Sequence, residues 1–430
     1  LAQEAAAEER VTALEGADVY TVTRGVVRGG TVLVRGERIE RVGLRVEIPE
    51  GATRVDLRGL RLYPGWIAAS ARGIGGQIRG KAADSLDPFD LSMELATASG
   101  VTSCYLESGG AFGFFFRGLR PLPSGGTTAV IRHTLGQLDG MVWFEPGAIE
   151  MTADWVGASP SKRQDVLEKF QKARAYLSAK KDYEQRKAAG KLKKDEKEPA
   201  RPGDADVQVK LLSGETRARM QARTWSEIRA ALDLVEAYPF RLTLIGAEEG
   251  WVRPEEISRA GVRCIIDPRS QLDPPRTSGR PGGSTIELAA ILHRAGVKLA
   301  IVPPQAEIDT DGIAGRDLMT LPLAAAFAIR GGLSEQAALE GITIAAAEIV
   351  GIDEQVGSIE EGKQADLIVL DGDPFHYESF VLKSFVAGRE VYDKDKAPFF
   401  RHIRPRPIRV TAPPPKAEAP APASKPKGPE

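Results

Sequence analysis

Four histidines and two cysteines are all the imidazole and thiolate that this 430-residue chain contains. His133, His293, His376 and His402 stand far apart, and no two share the spacing that would set paired imidazoles on one face of a helix or strand. Cys104 and Cys264 are isolated too, each in an apolar strand-like run (101–106 and 262–266), and read as buried free thiols. The sequence therefore forms no Cys/His cluster for a metal. Ser70 is a hydroxyl without visible His and carboxylate partners, so it reads as a neutral filler more readily than as a nucleophile. Asp309, Asp311 and Asp317 share one loop and offer oxygen ligands to a cation, although loop acids are ordinarily solvated. Gly73-Ile74-Gly75-Gly76, Gly109-Gly110 and Gly282-Gly283 lack the strand–glycine–helix setting of a nucleotide-binding turn.

The elements that must position such groups follow from periodicity. Segments 17–27, 31–34, 38–42, 53–57 and 60–63 are rich in Val and Thr, with Gly29-Gly30 and Gly36-Glu37 as hairpin breaks. Similar signals return at 365–370, 384–386 and 389–392, so the two ends are expected to pair in one β-domain. Between them, strand-like 101–106, 129–132, 241–245, 263–266 and 298–302 alternate with helical 225–237, 285–295 and 321–329. That alternation predicts an α/β fold, either a parallel barrel or a doubly wound sheet.

Composition narrows the partners. Apolar residues at 42% and charged residues at 27% are ordinary for a globular chain, and a net charge of -1 gives no global attraction for nucleic acid. No apolar run approaches the roughly 20 residues of a membrane span. Segment 161–197 is dense in Lys, Glu and Asp, with Phe170, Ala173, Tyr176 and Leu177 at helical spacing, which predicts an exposed helix with a thin apolar stripe. Its lysines (Lys180, Lys181, Lys191, Lys193, Lys194) alternate with Asp182, Glu184, Asp195 and Glu196, so their field largely cancels. Segment 411–430 is Pro, Ala and Lys and is expected to be a disordered tail. Leu1-Ala2-Gln3 suits the point where a secretion signal is removed, which makes export the expectation and a cytoplasmic location the alternative.

Three segments resemble the amidohydrolase superfamily, closest to its imidazolonepropionase-like group. The first runs from Gly30-Thr31-Val32-Leu33-Val34 through Val55-Asp56-Leu57 to Leu62-Tyr63-Pro64-Gly65-Trp66-Ile67. The second is Leu86-Asp87-Pro88-Phe89-Asp90 with Ala98-Ser99-Gly100-Val101-Thr102-Ser103. The third and most specific is Val356-Gly357-Ser358-Ile359-Glu360-Glu361-Gly362-Lys363-Gln364-Ala365-Asp366-Leu367-Ile368-Val369-Leu370, ending in Gly372-Asp373-Pro374. The resemblance implies a distorted (β/α)8 TIM-type barrel over 64–350, with a charged helical insert near 161–197. A small β-sandwich would be formed by both chain ends, 17–63 and 351–400.

The resemblance also implies a chemistry: water activated on one or two divalent metals held by His-x-His after the first barrel strand and by further His, Lys or Glu and Asp at later strand ends. Here Ser70 and Arg72 stand in place of the His-x-His pair, and arginine cannot give a lone pair to a metal. Gln221 or Arg223, Gly246 and Pro304 fall at the later ligand positions, and Glu150 matches the bridging position on the fourth strand. No metal and no other cofactor is expected. The expectation is a protein without metal-dependent hydrolysis that acts as a binding or partner subunit, in a heteromer with an active relative or a homo-oligomer. Ser70, Arg72, Gln221 and Arg223 would line a mouth suited to a small anionic ligand. The alternative is a hydrolase of carbon–nitrogen bonds with a rearranged site that uses Glu150 or His133, the one histidine expected to reach the barrel mouth.

Overall fold

The two ends of the chain meet in one sheet. A computed structural model describes residues 10–403 except 79, 108–127, 154, 157–159, 194–195, 275–278, 280 and 310–316. Leu1-Ala2-Gln3, Gly109-Gly110, Lys194-Asp195, Asp311 and segment 411–430 fall outside the described residues. At the start of the chain lie β1 (Val11–Tyr20), β2 (Val26–Arg35), β3 (Arg38–Gly43), β4 (Thr53–Asp56) and β5 (Arg61–Pro64). Gly36, with φ 57°, opens the two-residue link from β2 to β3, where a tight hairpin needs a residue free to adopt positive φ.

The middle of the chain supplies β6 (Trp66–Ala71), β7 (Val101–Leu106), β8 (Ala129–Arg132), β9 (Val142–Phe144), β10 (Ile149–Thr152), β11 (Ala218–Ala222), β12 (Leu242–Gly246), β13 (Arg263–Ile266) and β14 (Leu299–Ile301). The last strands are β15 (Leu367–Leu370), β16 (Val381–Val386) and β17 (Arg389–Asp393). β15 pairs antiparallel with β5, so β1–β5 and β15–β17 form a single eight-stranded sheet. Leu14, Val19, Val32, Val34, Leu62 and Leu367 fill its buried face.

The middle strands divide into two sheets. β10 to β14 pair in parallel, in sequence order, as expected of strands linked by helical crossovers. β6 and β7 are parallel, but β8 runs antiparallel to β7 and β9 antiparallel to β8. The physical reason for the second reversal is the link 133–141, which holds no helix to carry the chain back across the sheet. Among the described residues the two sheets do not close into a hydrogen-bonded barrel. They still face one core, in which Ile67, Ala69, Tyr105 and Val130 meet Ile265 and Ala300.

Helices cover the outside. Trp225–Ala237 starts from a reciprocal cap, in which Thr224 and Glu227 bond each other's main chain, and buries Ile228, Ala231, Leu232 and Leu234. The charged segment forms a long helix, Pro160–Ala188, that buries Phe170 and Ala173 while Tyr176 and Leu177 pack beside Ala205 and Val209. Among the described residues no helix is long and apolar enough to cross a membrane.

The end sheet is tied to the middle by charge as well as packing. Arg132, at the end of β8, bonds both carboxylate oxygens of Asp366 through Nε, at 3.1 and 2.9 Å, and reaches Gln364 Oε1 at 3.1 Å. Both Arg132 and Asp366 are buried, and Asp366 also accepts from the Ala387 amide at 2.8 Å. This explains the Gln364-Ala365-Asp366 stretch of the third family-like segment: it is the joint between the two parts.

Candidate functional site

Parallel strands point alternate side chains to the same face, so Arg219 and Gln221 of β11 share the face opposite to Ala218, Met220 and Ala222, which pack in the outer core. Arg219 is buried and stands in register with Glu150 of β10. Its Nε lies 3.7 Å from Glu150 Oε1, its Nη2 lies 3.3 Å from Glu107 Oε1, and Nη2 donates to Ser70 Oγ at 3.2 Å. Tyr105 of β7 places its ring under the guanidinium, 3.7 Å from Cζ to the ring centre. Its hydroxyl donates to Glu150 Oε1 at 2.8 Å. Arg219 Nε and Nη1 meet no hydrogen-bond acceptor among the described residues, and the π face of Tyr105 lies against the guanidinium.

Glu107 follows the last residue of β7 and closes the cluster from the other side. Ser70 Oγ donates to its Oε1, and Arg72 Nε donates to its Oε2 at 2.6 Å. Burial pushes the Glu107 carboxyl up, but the Arg219 and Arg72 charges and the Ser70 bond outweigh it and leave Glu107 below the ordinary glutamate range. Glu150 goes the other way. Burial, helped by the Glu107 charge, outweighs Arg219 and Tyr105 and raises it. Two carboxyls around one guanidinium thus differ: Glu107 is the firm anion and Glu150 the one that holds a proton more readily.

The structure brings together Ser70, Arg72 and Glu150, and adds Glu107, Arg219 and Tyr105, which sequence reasoning missed. The available signals were an acidic residue directly after a strand and a second arginine two places before Gln221 on one strand face. Gln221 is exposed on β11. Arg223 does not join the cluster. Its Nε donates to Glu248 Oε1 at 2.7 Å and its Nη2 to the Gln271 carbonyl at 3.0 Å, while Ser270 Oγ donates to the same Glu248 oxygen at 2.6 Å. Arg72 and Arg223 each close on their own glutamate, which corrects the expectation of two free arginines facing one mouth. At Gly246, with φ 95°, a Cβ would come within 2.7 Å of Glu248 Oε2, so that carboxylate fills the space a longer side chain would take. Pro304 lies exposed beyond β14.

His133 is corrected as well. It is fully buried, with Nδ1 at 2.8 Å from the Val101 carbonyl and Nε2 at 3.3 Å from Cys104 Sγ. Because β8 runs antiparallel to β7, the residue after its end falls beside the start of β7, away from Glu107. Burial holds the imidazole down at about 4, a core histidine and no base at neutral pH. Cys104 and Cys264 are buried free thiols, raised by burial, Cys264 to about 12.

The donor set tests the fit of a divalent metal. Among the described residues no three His, Cys, Asp or Glu side chains stand where they could hold one ion. Glu107 and Glu150 face a buried guanidinium that both carboxylates hold in its charged form, after burial has opposed it. A second cation between them would meet that fixed charge. These residues do not fit a metal ion.

Residues 242–405 match the sequence model of the amidohydrolase family. The match begins at β12, so Ser70, Glu107, Glu150 and Arg219 precede it. An amidohydrolase from Thermotoga maritima MSB8 is similar over 89% of this chain and 100% of its own, at 26% identity and a TM-score of 0.67. A dihydropyrimidinase from Brevibacillus agri NCHU1002 is similar over 89% of this chain and 95% of its own, at 12% identity and a TM-score of 0.51. A prolidase solved with N-methylphosphonate-L-proline covers 89% of this chain and 100% of its own, at 18% identity and the same TM-score of 0.51. No curated protein matches the sequence. The α/β fold has amidohydrolases as its structural neighbours, and the match to the amidohydrolase family model covers the part of the chain from β12 onward.

Proposed function

We propose that this amidohydrolase-family protein does not hydrolyse by a metal-dependent route and acts as a binding or partner subunit, in a heteromer with an active relative or with itself. The observation that carries this reading is Arg219, buried between Glu107 and Glu150 where the family resemblance places metal chemistry. The fold inferred with it is a distorted (β/α)8 barrel over 64–350, bearing a β-sandwich made from both ends. Support for that comes from the five parallel strands β10–β14 and the core they share with β6–β8. Elemental analysis of protein purified without chelator tests the reading. Divalent metal well below one ion per chain is expected, and a stoichiometric ion would overturn it. Native mass spectrometry from the source tests the assembly.

A second reading, a hydrolase of carbon–nitrogen bonds with a rearranged site, draws on one observation. Glu150 is a carboxyl raised by burial against the opposing Arg219 charge, and a raised carboxyl can serve as a general acid. Metal-independent turnover of cyclic amides or dipeptides that disappears in Glu150→Gln would favour this reading over the first.

A further inference from the structure

At the starts of β11, β12 and β13 lies a cavity of about 620 Å³. Arg217, Arg241 and Arg263 line it, each at or just before the start of its strand, β11, β12 and β13. Pairing of Ala218 with Leu242 sets Arg217 beside Arg241, and pairing of Thr243 with Arg263 brings the third arginine to the next strand. The hydrogen bonds they make here go to main-chain carbonyls: Arg217 to Ile349 at 3.0 Å, Arg241 to Gly214 at 2.7 Å, Arg263 to Glu348 at 2.7 Å. All three guanidiniums thus meet in one cavity with main-chain carbonyls as their hydrogen-bond acceptors.

A purely structural account would have Arg217 and Arg263 neutralise the carbonyl end of helix Ile344–Val350. That end carries roughly half a unit of negative charge, too little for three guanidiniums. The acids in the wall supply only part of the rest. Glu348 is paired with Lys298, and the Asp353 charge acts on both Arg217 and Lys363. Glu354 stands exposed at the edge. Arg217 is accordingly held below the ordinary arginine range, by burial first and then by the Arg241 and Arg263 charges. Trp143 and Phe144 also line the cavity.

We infer that this cavity binds a small molecule carrying two oxyanions, phosphate or carboxylate, with the three guanidiniums as its anchors. Each guanidinium has five N–H donors in a planar fork and has given at least one to the main chain, which leaves donors for an oxyanion. The volume suits a small metabolite rather than a macromolecule.

Calorimetric titration of the full chain with sodium pyrophosphate and with sodium succinate, at constant ionic strength, tests this. Saturable binding of one equivalent of either probe is expected, and the preferred probe tells phosphate from carboxylate. Arg241→Gln, an exposed position that should fold normally, should weaken binding roughly tenfold or more, the loss of about one charge-assisted bond. Arg241→Lys should recover part of it, and Arg54→Gln, on the end sheet, should leave it unchanged. No saturable binding of either probe overturns the inference, as does equal affinity in Arg241→Gln and the parent or an equal loss in Arg54→Gln.

Discussion

The guanidinium carbon of Arg219 rests 3.7 Å from the centre of the Tyr105 ring, and both side chains are buried. Tyr105 works twice there, its ring face against the cation and its hydroxyl on Glu150. Tyr105→Phe should therefore cost about 1 kcal/mol, the worth of one hydrogen bond. Tyr105→Leu should cost about 3 kcal/mol, because the ring face and its packing go as well. Urea unfolding of the two variants measures both, and equal losses would show that the ring face contributes nothing.

Arg219→Met leaves Glu150 buried without its cation, and Glu107 with Arg72 alone. Breaking a buried ion pair from one side costs about 3–5 kcal/mol. Adding Glu150→Gln removes the stranded carboxyl and should recover on the order of 1 kcal/mol or more. Additive losses in the double-mutant cycle would mean that the two residues do not interact.

His133 makes stability depend on pH. Its folded value of about 4 lies below the ordinary 6.5, so the unfolded chain binds the proton first. The stability it allows is fully present above about 6.5 and is lost progressively as pH falls towards 4. Across that window the loss is about 3 kcal/mol. Unfolding free energies of the parent and His133→Gln, measured from pH 7 to 4, should differ in slope, the variant being flatter. The imidazole resonances of His133 should also stay those of the neutral ring down to about pH 4.

Asp366→Asn tests the joint between the end sheet and the middle. Arg132 would be left buried with one fewer anion, at a cost of about 3 kcal/mol. Tryptophan fluorescence and the far-ultraviolet signal should still lose structure together on unfolding, since Ser384 and Thr97 also bridge the two parts. A separate early transition of the end sheet would show that the ion pair alone couples them.

How much of this was legible depended on where the signal lay. β7, β8 and β13 and the helix Trp225–Ala237 fall where periodicity puts them, because apolar runs and a capping box mark them locally. β11 was invisible. Ala218-Arg219-Met220-Gln221-Ala222 is built of helix formers, and it is a strand because β10 and β12 take up its hydrogen bonds on both edges. At the candidate site, Ser70, Arg72 and Glu150 could be placed from a family resemblance. Arg219 could not, since a buried guanidinium makes sense only once its carboxylates are in view. His133 was misplaced because a run of parallel strands was assumed and β8 runs the other way.

That reversal has a consequence for how the protein could change over time. In a fully parallel array every strand end opens onto the same rim, and new side chains there meet the old chemistry. Here the link 133–141 emerges on the opposite side, directly before Trp143 and Phe144, which wall the arginine cavity. Insertions or substitutions in that link would be felt first beside Trp143 and Phe144 and the start of β7, whereas Glu107 follows the other end of that strand.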